Sequence, residues 1–140
     1  MFSRIVVAVD LTQPELTQHA LSKCAELAKA GSAEVRLIYV RPFLIDAALA
    51  YLPPDFFEGE EQRAIDDLKA MVPTSGLDPA RTSVVSPTGD VYHLVLDAAE
   101  AFKADLIVVG SRRPAMSTYL IGSNAARIVR HAKTSVLVVR

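Results

Sequence analysis

The chain contains no tryptophan, and its one cysteine, Cys24, has no second thiol to pair with. An internal disulfide is therefore excluded, and so is a cysteine-rich zinc site. No stretch approaches the ~20 consecutive apolar residues that a membrane-spanning helix needs. An excess of one charge is missing too: 15 Lys and Arg stand against 16 Asp and Glu, for a net charge of −1. Without a broad positive field, neither nucleic acid nor a membrane is expected as a partner. The common phosphate-loop patterns Gly-x4-Gly-Lys-Ser/Thr and Gly-x-Gly-x-x-Gly are also absent. The first apolar run, Ile5-Val6-Val7-Ala8-Val9, is too short for a secretory h-region, so a soluble cytoplasmic protein is expected.

What remains is rich in apolar residues, 51% of 140, enough for one domain over residues 1–140 with a sizeable core. Four runs rich in β-branched residues, Arg4–Val9, Glu34–Val40, Asp105–Val109 and Ser135–Val139, read as strands, and Arg81–Ser86 reads as a weaker fifth. Most are apolar throughout rather than alternating, as in strands of a parallel sheet covered on both faces.

Helical spacing lies between them. Leu16, Ala20, Cys24, Leu27 and Ala28 form one stripe, with Gly31 as its stop. Val91, Leu94, Val95, Ala98 and Phe102 form another, and Ile121, Ala125, Ile128, Val129 and Ala132 a third. A more polar helix is expected from about Asp55 to Val72, ended by Pro73 and Gly76. The alternation calls for an open α/β fold, a five-stranded parallel sheet of order 3-2-1-4-5 with helices on both faces. Ligands of such sheets bind at the carboxyl ends of the strands, where the order reverses. The loops beginning at Val9-Asp10 and at Gly110 meet there.

Gly110 ends the fourth strand, where a missing Cβ lets a ligand approach and permits positive φ. Gly122-Ser123 opens the last helix, leaving the N–H groups of Ser123, Asn124 and Ala125 for an anion. The Ser123 hydroxyl would cap that helix or contact the anion. Arg112 and Arg113 bring forked donors suited to phosphate, or form a solvated pair, and Ser117 and Thr118 add hydroxyls. Asp10 would accept from a ribose hydroxyl or an adenine amine or approach a metal through water, or else Asp10 or Thr12 caps the first helix. Val40 offers backbone and an apolar wall to a flat base, or is plain core. The apolar segment Arg41–Pro54 is either a flap over the sheet or a partner, or a lid over a base. No carboxylate–histidine cluster suggests a preformed metal site, although Mg2+ would accompany a nucleotide. Cys24 lies on an apolar stripe, as packing rather than as a nucleophile.

Together these blocks resemble the universal stress protein family over the whole chain, and within it the F/G branch. The resemblance is carried by Ile5-Val6-Val7-Ala8-Val9-Asp10, Val35-Arg36-Leu37-Ile38-Tyr39-Val40, Gly89-Asp90-Val91, the stretch from Gly110 to Ala125, and the ending Val136-Leu137-Val138-Val139-Arg140. The family's ATP pattern is Gly-x2-Gly-x9-Gly-Ser/Thr. This chain keeps Gly110 and Gly122-Ser123 but has Arg113 at the second glycine and eleven rather than twelve residues between the outer glycines. The resemblance implies an adenine nucleotide alpha hydrolase-like fold holding ATP, or AMP or ADP. It implies that Ala8, Val9 and Asp10 border the adenosine and that the backbone of Val40 meets the adenine. Val109, Gly110, Ser111, Arg112 and Arg113 would follow ribose and phosphates, with Ser117 near them, and Gly122, Ser123, Asn124 and Ala125 would hold the outer phosphates. It further implies a homodimer, paired through the apolar last strand Ser135–Val139, whose edge is otherwise unprotected. The function implied is a dimeric stress-response regulator with slow or no ATP hydrolysis. Alternatives are a protein-interaction dimer without nucleotide and a slow ATPase or autophosphorylating enzyme.

Overall fold

The computed structural model describes residues 1–43, 52–53, 55–111 and 122–140. In chain order the described elements are β1 (Arg4–Ala8), α1 (Pro14–Gly31), β2 (Glu34–Ile38), α2 (Phe56–Ser75), β3 (Thr82–Val85), α3 (Val91–Phe102), β4 (Leu106–Gly110), α4 (Ser123–His131) and β5 (Ser135–Val139). The strands form one parallel sheet of order β3-β2-β1-β4-β5, as the alternation of patterns required. β1 is central, with Val6 level with Arg36 on one side and with Ile107 on the other.

Successive strand residues face opposite ways, so a fully apolar strand feeds two cores. Ile5, Val7, Leu37 and Val108 pack against Leu21 and Cys24 of α1 and Leu68 and Val72 of α2. Val6, Ile38, Ile107 and Val109 pack against Val95, Ala99 and Phe102 of α3 and Ala125 and Ile128 of α4. Burying one such aliphatic side chain stabilises the fold by about 1.5–3 kcal/mol. Cys24 is fully buried, and burial pushes its thiol up to about 12, so it acts as a packing residue.

Several expected boundaries move. Pro73 does not end α2, which continues to Ser75 and stops at Gly76 in the left-handed conformation (φ 87). Proline costs a helix the bond to the carbonyl four residues back, a small loss this near the end. Gly31 does not stop α1 either; Ser32 does, with φ 51 and its N–H bonded to the Ala28 carbonyl. Gly31 is glycine for another reason: a Cβ there would sit 2.4 Å from the Phe2 carbonyl oxygen. β1 and β2 end at Ala8 and Ile38, earlier than their apolar runs, and that shortening opens the space described next.

Candidate functional site

A cavity of about 510 Å³ lies at the carboxyl ends of β1, β2 and β4, within the ~300–1,000 Å³ usual for small-molecule sites. Its walls combine Val9, Ile38, Val40, Val95, Val109 and Ile128 with a few polar groups. Asp10 is fixed by the turn after β1. The buried Thr17 hydroxyl donates to the Asp10 carbonyl (2.7 Å), and Oδ1 of Asp10 accepts from the Thr12 N–H (2.9 Å) and hydroxyl (2.6 Å). Oδ2 has no partner among the described residues and is the free acceptor of the loop. Neither Asp10 nor Thr12 caps α1, whose N-cap position is Gln13 with no side-chain bond.

Beyond β2 the chain stays extended while β1 turns away. Tyr39 and Arg41 donate their N–H groups toward β3, to the carbonyls of Val85 (3.1 Å) and Pro87 (2.8 Å). Val40 between them must point its peptide groups the opposite way, toward the gap left by β1. Neither group has a backbone partner among the described residues, although Val40 is buried. The segment is held rigid from behind. The Arg41 guanidinium donates to the Ser86 carbonyl (2.8 and 3.1 Å), and the buried Ser86 hydroxyl donates to the Tyr39 carbonyl (2.9 Å). Burial, reinforced by the charge of Asp10, raises the Tyr39 phenol above its usual range, so it stays a protonated donor at the cavity wall.

The third side is the start of α4. Its N-cap position is Gly122 (φ −57, ψ 154), which has no side chain to cap with, and none of the described side chains caps it. Ser123 is therefore the first helical residue rather than the cap, and its own hydroxyl does not satisfy the helix. The Gly122 carbonyl takes up the Ala126 N–H (2.9 Å), whereas the amides of Ser123, Asn124 and Ala125 precede the first intrahelical bond. Gly110 is not in the left-handed region. Its missing Cβ instead makes room for Leu16 of α1, whose Cγ would lie 2.8 Å from it. Asp90, across the cavity, caps α3 by accepting from the His93 N–H (3.4 Å) and lies 3.9 Å from Arg127.

Ala8, Val9, Asp10, Val40, Val109, Gly110, Gly122, Ser123, Asn124 and Ala125 are thus brought together around one cavity. Ser111 is not among its lining residues: it is buried, and its N–H bonds to the Val139 carbonyl (2.8 Å). Arg112, Arg113, Ser117 and Thr118 lie outside the described residues, as do residues 44–51 and 54 of the apolar segment. The cavity also includes Leu16, Thr17, Tyr39 and Asp90, which sequence reasoning did not assign. Thr17 carried a signal, a hydroxyl among the inward positions of α1, which has to find a partner when buried. Among the described residues no group of three His, Cys, Asp or Glu is placed to hold a metal ion, and no helix is long and apolar enough to cross a membrane.

Comparison with known proteins agrees with this architecture. The chain matches the Universal stress protein family over residues 1–140. It is 35% identical over 143 residues to Universal stress protein G of Shigella flexneri, covering 100% of each chain. The universal stress protein UspA from Lactobacillus plantarum has the same fold, with a TM-score of 0.79 at 22% identity over 99% of this chain and 97% of that one. So has the universal stress protein from Archaeoglobus fulgidus in complex with dAMP, with a TM-score of 0.70 at 17% identity over 99% and 98% of the two chains. A match that leaves no part of the sequence uncovered settles the assignment: this chain belongs to the universal stress protein family.

Proposed function

We propose that this chain binds an adenine nucleotide, ATP foremost and AMP or ADP as alternatives, and acts as a dimeric stress-response regulator. The observation that carries the reading is the convergence on one apolar cavity of backbone groups without partners among the described residues: the Val40 peptide groups on one side and the start of α4 on the other. A flat base needs an apolar slot and edge-on hydrogen bonds, which Val9, Val40 and Val109 would supply. Asp10 Oδ2 would accept from the ribose or the adenine amine. The amides of Ser123, Asn124 and Ala125 would hold outer phosphate oxygens with the positive end of the helix dipole. Arg112 and Arg113 and the Ser117 hydroxyl would complete the phosphate side, without Ser111, which is buried away from the cavity, and Mg2+ would enter with the triphosphate. The dAMP complex of the Archaeoglobus relative supports adenine as the base.

Slow or no hydrolysis follows from the carboxylates. Asp10 Oδ1 is engaged by Thr12 and its Oδ2 would be taken by the nucleoside, and Asp90 caps α3, so neither of these carboxylates would be left to orient an attacking water. The dimer would form along β5, which pairs with β4 on one side and is the last strand of the sheet. Native mass spectrometry of freshly purified protein tests both parts. A dimer carrying adenine nucleotide, or taking it up with Mg-ATP, is expected; a protein that neither retains nor takes up nucleotide at millimolar ATP refutes the site. A monomer refutes the pairing of last strands.

A further inference from the structure

A second concavity, of about 610 Å³, lies at the amino ends of β2 and β3, away from the nucleotide cavity. It is lined by Glu34, Arg36, Arg81, Thr82, Ser83 and Phe102, among others. Arg36 is an unusual occupant of its position. It sits in the middle of an interior strand, on the face where its register partner is Val6 and the next inward residue is Ile38. It is half-buried, its Cζ is 4.4 Å from the centre of the Phe102 ring, and its Nε donates to the Ser83 hydroxyl (3.1 Å). Arg81 donates once, to the Ser32 carbonyl (2.8 Å). Arg4, adjacent, donates to the Phe102 carbonyl (3.1 Å) and lies 5.7 Å from the same ring.

Lys23, Arg41, Arg63 and Arg127 each reach a carboxylate within 4.0 Å; Arg4, Arg36 and Arg81 reach none among the described residues, Glu34 included. A half-buried guanidinium without a counter-ion is costly, and each guanidinium carries five N–H donors of which Arg36 and Arg81 use one apiece. We infer that this cleft is a second ligand site, for a phosphate-type oxyanion, free or esterified on a small molecule. With Cζ over the Phe102 ring and Nε tied to Ser83, the two terminal nitrogens of Arg36 have no hydrogen-bond partner among the described residues, and such a pair can grip an oxyanion with two parallel bonds. The Ser83 hydroxyl accepts from Arg36, which leaves its own hydrogen to donate. Donors from Arg36, Arg81 and Ser83 exceed what the two oxygens of a carboxylate accept and match the three or four oxygens of a phosphate. Glu34 and the net charge of −1 disfavour an extended polyanion such as nucleic acid.

The test is a nitrogen-15 NMR titration at constant ionic strength with inorganic phosphate and, separately, glycerol 3-phosphate. Saturable shifts of the Arg36 Nε–H and the Ser83 amide are expected with at least one of them. Arg36→Gln and Arg81→Gln should each weaken that binding about tenfold or more. The Ser123 amide should still respond to ATP in both variants, which separates the two sites. Arg81 is exposed, so its variant remains informative even if Arg36→Gln disturbs the Phe102 packing. The inference is overturned if neither anion saturates by tens of millimolar, if sodium chloride reproduces the shifts, or if a folded Arg81→Gln protein binds as the parent does.

Discussion

Replacing Ser123 with proline removes one backbone N–H from the start of α4 and disturbs the helix very little. Ser123 is the first helical residue, where an amide has no carbonyl to bond and where proline is favoured. Gly122 already has the extended backbone (φ −57, ψ 154) that a residue before proline adopts. Thermal stability should therefore equal or slightly exceed that of the parent. Binding should not. A hydrogen bond to a charged group contributes about 1.5–3 kcal/mol. At about 1.4 kcal/mol per factor of ten, losing it weakens ATP binding roughly 10- to 150-fold. Ser123→Ala removes only the hydroxyl, so the ratio of the two dissociation constants, measured by titration calorimetry with Mg-ATP, isolates the amide. If Ser123→Pro and Ser123→Ala bind equally well while both melt like the parent, the amides of α4 do not hold phosphate, and the reasoning fails.

Gly110→Ala places a Cβ 2.8 Å from Leu16 Cγ and should destabilise by about 1–3 kcal/mol, read as a lowered urea midpoint. Adding Leu16→Ala should recover part of that loss, and strict additivity would refute the contact. Gly31→Ala faces a backbone oxygen at 2.4 Å that cannot step aside, so it should lower the melting temperature. Gly59→Ala, on an exposed part of α2 with nothing within 4 Å, should raise stability by about 0.5–1 kcal/mol. Opposite signs in this pair are the test. Burial of Asp105 alone would raise its carboxyl pKa, but donors from Ser3 and Arg4 (2.9–3.2 Å) outweigh that and hold it below the usual range. A depressed folded value stabilises above the unfolded pKa and is lost as pH falls through the folded one. The melting-temperature gap between parent and Asp105→Asn should thus be full at neutral pH and close below about pH 4; a gap independent of pH would exclude this account.

The strands, their order and most of the core were legible because apolar, β-branched runs separated by 3.6-period stripes admit few arrangements. The ends of elements were less so. Pro73 reads as a stop, yet a helix that is nearly finished loses only one bond to it. Gly31 and Gly110 read as sites of conformational freedom, whereas each is small because something distant leans on it, the Phe2 carbonyl in one case and Leu16 in the other. Such contacts join elements far apart in sequence and leave no local periodicity. The candidate site was visible where it consists of strand ends and a Gly-Ser step. Tyr39 and Thr17 escaped notice because their place depends on how far β1 and β2 continue before they part. The free peptide groups of Val40 arise from that same parting, a register effect rather than a residue type.

The central place of β1 also bears on how the chain is made. Of the five strands of this sheet it leaves the ribosome first, and its β2 flank, Glu34–Ile38, follows soon after. Its other flank must wait for Leu106–Val109, about a hundred residues later. At roughly 5–20 residues per second, that delay is on the order of 5–20 s. Throughout it one edge of Ile5-Val6-Val7 stays open, and for most of it α3, which covers Val6, has not been synthesised either. The nascent polypeptide thus leaves an apolar, β-branched strand with an open edge for seconds, the kind of segment that pairs with other chains unless it is shielded.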